Sequence, residues 1–149
     1  MTPTPDVQGT LFSARAPATF KAMAIVTFAF GAAIHALRLI IGIEAIVAYV
    51  LTPPVDVAFG VFIAGTAAVG LMSWRRYSGG KVGRVGYAFA MFMLIVSVPI
   101  HLRTALTWST AYLTAFPTWY SIVEIPMFLA LVLMVSRLRF GDGALPEVK

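Results

Sequence analysis

Apolar positions in this chain gather into four long blocks separated by short polar breaks. The blocks cover about residues 20–43, 55–74, 85–106 and 116–135, each near the roughly 20 residues that a membrane-crossing helix needs. All are too long for short buried strands, and none shows the period-2 alternation of a barrel strand. The breaks are distinct. "LTPPVD" sets Pro53 and Pro54 between the first two blocks, where proline denies a backbone donor and disfavours helix before it. "RRYSGGKVGR" combines charge with the Gly79–Gly80 pair, and "FPTWY" interrupts the last two blocks near Pro117. The pattern predicts an all-α integral membrane four-helix bundle, up-down-up-down, as a single transmembrane domain over residues 18–140.

Composition supports this reading. The 149 residues are 60% hydrophobic and 11% charged, against about 25% charged in an average soluble domain. The mean hydropathy is +0.89. The net charge of +5 would suggest nucleic acid in a soluble protein, but its placement explains it better. Arg15 and Lys21 precede or open the first block, Arg75, Arg76, Lys81 and Arg84 fill the middle break, and Arg137, Arg139 and Lys149 follow the last block. By the positive-inside rule both termini face the cytoplasm, in a prokaryotic plasma membrane, and no nucleic-acid partner is needed. Residues 1–17 and 141–149 are expected as cytoplasmic tails, the first flexible. The first is not a cleaved signal, because the apolar run after it is longer than a signal core. The absence of cysteine excludes thiolate metal sites, iron–sulfur clusters and cysteine nucleophiles.

Two blocks carry local peculiarities. No proline interrupts residues 18–51, and a continuous helix of that length would reach roughly 50 Å, well past a hydrocarbon core of roughly 30 Å. The first helix therefore either projects or bends, with Gly42 the natural point. The second block, "AFGVFIAGTAAVGLM", has small residues at four-residue spacing, such as Ala64 with Ala68 and Thr66 with Gly70, which favours close helix packing and a scaffolding role.

Ionisable residues inside the blocks are the candidate chemistry, since they are costly in a bilayer. His35 and His101, the only histidines, fall about two-thirds along the first and third helices. Glu124, early in the returning fourth helix, reaches the same level. Arg38 and Arg103 lie slightly nearer the outer surface, with Glu44 and Asp56 nearer still. Positions three or four apart share a helix face, which groups Phe28, Gly31, His35, Arg38 and Gly42. It also groups Ser97, His101 and Thr104, and Tyr120, Ser121 and Glu124. Arg103 is two residues from His101 and points elsewhere, so it is the more interfacial arginine, whereas Arg38 is placed to pair with Glu124. The two halves show a weak repeat, Ile-His followed by an outer break and a helix ending in serine and arginines. A true duplication would relate them by a pseudo-twofold axis along the membrane normal.

Three functional classes suit this set. In the first, His35 and His101 are axial ligands of a haem b, with Gly31 and Gly42 leaving room for the ring and Arg38 or Arg103 meeting the propionates. The chain would then carry electrons, to or from quinone, as a subunit of a membrane complex. The second is a small membrane enzyme acting on a lipophilic substrate. It would use either a non-haem metal held by His35, His101 and Glu124 or metal-free acid–base chemistry at Glu124. The third is an accessory subunit without cofactor, assembled with other membrane proteins or with copies of itself. No phosphate-binding loop, HExxH motif or serine–histidine–acid set is present.

Overall fold

The computed structural model describes the backbone of residues 7–141 and side chains from Arg15 onward. Four long helices dominate: α1 (Val7–Ile41), α3 (Pro53–Ser73), α4 (Lys81–Thr107) and α5 (Thr118–Ser136). Between α1 and α3 lie one short turn, α2 (Ile43–Ala45), and a π-helical turn at Ile46–Val50. Single 3₁₀ turns follow α3 at Trp74–Arg76 and precede α5 at Ala111–Ala115.

The helix boundaries follow local chemistry. Gly42 ends α1 with φ +87°, a left-handed conformation that glycine adopts without penalty. The proline-free stretch therefore bends instead of projecting. The prolines of "LTPP" separate α3 from the turn before it by opening the helix, with Leu51 and Thr52 non-helical ahead of them. At positions N1 and N2 their missing donors are among those no helix could satisfy. Lys81 and Arg84, expected in the middle connection, stand in the first turn of α4, and only residues 77–80 link it to the preceding turn. α1 also starts earlier than expected, at Val7, and carries Pro17 within it. The remaining parts of the expected tails, residues 1–6 and 142–149, lie outside the described residues.

α1 packs chiefly on α5 and α3, and α3 on α4, with a lighter α4–α5 contact closing the bundle. At the terminal end Lys21 donates to the Leu138 carbonyl at 3.0 Å. Ser78 and Gly141 link the α3–α4 connection to the end of α5 through Arg139 and Arg76. A cluster of rings fills this end: Tyr87 lies 5.1 Å from both Phe20 and Trp74 and 5.8 Å from Phe140. Small residues on α3 and α4 permit the packing. A Cβ at Gly70 would meet Met91 and Phe20, and one at Gly86 would lie 2.7 Å from the Met134 methyl.

Polarity is distributed inside out. Only 22–33% of the residues in the four apolar windows are buried, and Val26, Ile40, Val61, Leu71, Val85, Leu106 and Leu133 all face outward. Arg38, Asp56, Thr66, Thr104, Ser121 and Glu124 are buried instead. Water would not tolerate so extensive an apolar exterior on a monomer, whereas lipid does. The chain is a small multi-pass membrane protein.

Candidate functional site

Away from the terminal end the bundle opens into a cavity of about 130 Å³. His35 and Arg38 line it from α1, Asp56, Phe59 and Ile63 from α3, Ser97 and His101 from α4, and Tyr120 and Phe128 from α5. The bend at Gly42 folds the following segment back so that Ile43, Ile46 and Leu51 cover it. Ile46 is fully buried.

The two histidines enter this cavity from opposite supports. His35 Nδ1 lies 3.0 Å from the hydroxyl of Ser121, which is fully buried on α5, and its ring is flanked by Tyr120 and Phe128. His101 Nδ1 donates to Asp56 Oδ1 at 3.0 Å. Its backbone stands so close to α3 that a Cβ at Gly60 would collide with the His101 Cβ. Each ring is thus fixed through Nδ1, leaving Nε2 as the nitrogen available to a ligand.

Asp56 is the residue the sequence reading passed over. It is completely buried, and its other oxygen, Oδ2, accepts from Thr104 Oγ1 at 2.5 Å. Thr104 in turn lies 3.0 Å from the Tyr112 hydroxyl in the α4–α5 connection. Tyr112 also reaches the Ile100 carbonyl at 2.5 Å, and the Arg103 guanidinium sits over its ring, 4.6 Å from the centroid. Burial, followed by the Asp56 charge, pushes the Tyr112 hydroxyl above its usual 10.0, against opposing effects of Thr104 and Arg103. A signal for Asp56 was present in the sequence. Asp56, Gly60, Ile63, Ala67 and Gly70 follow helical 4-3-4-3 spacing and form one buried stripe, so the acid belonged to the packed face of α3 and not to the break.

The other expected site residues separate. Arg38 is buried, not snorkelling, and donates to the Phe116 carbonyl just before α5. It makes no ion pair with Glu124 among the described residues. Glu124 is buried but does not line the cavity. Its Oε2 has no hydrogen-bond partner among the described residues, and its polar neighbour is Tyr120, one turn earlier. Arg103 is exposed on the other side of α4, as its spacing required. Among the described residues no three His, Asp or Glu side chains gather as metal ligands, so His35, His101 and Glu124 do not form the expected triad. The glycines expected to make room for a cofactor do other work. A Cβ at Gly31 would lie 3.0 Å from the Phe128 ring, so this glycine admits α5, while Gly42 makes the turn.

No family model, curated protein or solved structure matches this chain. The chemistry is therefore carried by the geometry alone. The cavity offers two imidazole nitrogens, one guanidinium and one phenol within an apolar aromatic wall, a set suited to a flat molecule with polar atoms at its rim.

Proposed function

We propose that this membrane protein binds the ring of a lipophilic, quinone-type molecule, with His35 and His101 holding its oxygens. The observation that carries the reading is the shared cavity of about 130 Å³ between two histidines anchored through Nδ1. A dry cavity of about 150 Å³ admits benzene, so the space suits one ring with an isoprenoid-like tail passing between helices into lipid. His35 Nε2 donates to one oxygen when its Nδ1 accepts from Ser121, while His101 Nε2, unprotonated when Nδ1 donates to Asp56, accepts the hydroxyl of the reduced ring, with Arg38 and Tyr120 nearby. The basic residues of the α3–α4 connection and of the end of α5 share the terminal end, which supports a cytoplasmic location for that end. The cavity then opens toward the outer leaflet, and the chain serves as a quinone-linked subunit of a membrane electron-transfer assembly.

Titration of the purified protein in lipid nanodiscs with decylubiquinone tests this. Saturable binding that His35→Ala and His101→Ala each weaken by about tenfold or more, the worth of one good hydrogen bond, is expected. Absence of saturable binding removes the proposal.

One observation favours a second reading. Ligating histidines commonly donate their other ring nitrogen to a carboxylate or another acceptor, and the Asp56–His101 contact has that form. A haem b between His35 and His101 would use both Nε2 atoms, but a four-pyrrole ring exceeds the present cavity and requires α1 and α4 to part. A reduced-minus-oxidised spectrum with b-type bands would select haem over the quinone reading.

A further inference from the structure

The hydrogen bonds behind His101 do more than fix its ring. We propose that Asp56, Thr104 and Tyr112 form a proton path between His101, and hence the cavity, and water at the α4–α5 connection. The path is continuous: His101 Nδ1 to Asp56 Oδ1 at 3.0 Å, Asp56 Oδ2 to Thr104 Oγ1 at 2.5 Å, and Thr104 Oγ1 to the Tyr112 hydroxyl at 3.0 Å. Asp56 and Thr104 have no exposed surface, while Tyr112 is half-buried beneath exposed Arg103. The series therefore begins at a cavity-lining imidazole, crosses a fully buried pair and ends at a half-buried tyrosine. A purely structural clasp between α3 and α4 would be complete at Thr104.

The protons balance. An imidazolium formed at His101 passes its Nδ1 proton to Asp56 and is left neutral with a proton on Nε2. The carboxyl turns to present that proton at Thr104 Oγ1, the Thr104 hydroxyl turns from Asp56 to give its own to Tyr112, and the Tyr112 hydroxyl turns from the Ile100 carbonyl to release its proton to water. One proton enters, one leaves, and no electron moves. The reverse sequence delivers a proton to the cavity. Charged and titratable groups around His101 are Asp56 from α3, His35 and Arg38 from α1, Tyr120 from α5, and Arg103 and Tyr112 at the far end of the path. His35 has no comparable route, since its Nδ1 partner Ser121 is fully buried and makes no other side-chain hydrogen bond among the described residues.

The inference rests on the quinone reading only for what occupies the cavity, and its test needs no ligand. Solvent exchange of the His101 ring proton can be followed by ¹⁵N-histidine NMR of the full chain in nanodiscs. Thr104→Val and Tyr112→Phe are each expected to slow that exchange by about tenfold or more, the effect of raising the barrier by one lost hydrogen bond, with Thr104→Ser restoring it. Tyr112→Phe keeps the ring under Arg103 and decides the matter if Thr104→Val does not fold. Wild-type exchange in a folded Tyr112→Phe protein would overturn the path. Loss of decylubiquinone binding with the exchange pattern intact would overturn the quinone reading alone.

Discussion

The two ends of this bundle are built on opposite rules. At the terminal end, rings from α1, α4 and the segment after α5 meet within 5.1–6.5 Å, and glycines on α3 and α4 let the helices close over them. At the other end the same helices enclose a cavity and bury an aspartate, an arginine and hydroxyls beside two histidines. Dense packing favours a unique structure, whereas space and buried polarity cost stability. The contrast shows that the terminal end holds the fold while the other end spends part of that stability on a site.

Substitutions that separate the two ends test the comparison, and the largest effect belongs to the packed end. Tyr87→Ala removes the hub of the ring cluster and the hydroxyl that donates to the Gly70 carbonyl. A loss of about 3–5 kcal/mol is expected, read as lowered stability in detergent unfolding, with quinone affinity of the remaining folded protein unchanged. Equal stability would mean that this end does not hold the fold.

Asp56→Ala comes next, because it strands His101 Nδ1 inside the protein and takes from Thr104 the stronger of its two partners. About 1–3 kcal/mol of stability should disappear, together with most decylubiquinone affinity. Retained affinity would show that His101 does not depend on Asp56 for its orientation. Ser121→Ala removes one neutral hydrogen bond from His35 and should cost about 1 kcal/mol. Its effect on binding should be smaller than that of Asp56→Ala, and an equal or larger one would reverse the ranking of the two histidine supports.

The smallest effect is one of pH. Because folding holds the Tyr112 hydroxyl above 10.0, the stabilisation from its protonated form is intact below that pH and is lost as pH rises through the folded value. The tyrosinate absorbance missing from Tyr112→Phe should therefore appear only above pH 10, and its appearance at lower pH would contradict the hydrogen-bonded position.

The helices could be read from the sequence because each apolar block has the length and the punctuation of a membrane span. The shared level of His35 and His101 was also readable, since depth follows from counting along helices of known direction. Partnership was harder. Glu124 had the right depth, but depth says nothing of rotation, and that stretch of helix offers the cavity Tyr120 and offers His35 the Ser121 hydroxyl instead. Counting along the chain places Asp56 nearer the outer surface than the histidines, but proline at a helix start makes the next turn part of the helix and brings this acid onto the packed face. Tyr112 lies in a connection whose path no periodicity encodes, so its approach to Thr104 depends on tertiary structure alone.

Asp56 also constrains how the chain is assembled. Its side-chain partners, His101 and Thr104, both belong to α4, which follows α3 in the chain and is synthesised after it. Until α4 arrives, the Asp56 carboxyl lacks both of the side-chain donors that it has in the folded bundle. The α3–α4 hairpin is thus the smallest piece of this protein in which that acid is satisfied, and a chain truncated before residue 101 lacks the partners that allow α3 to settle.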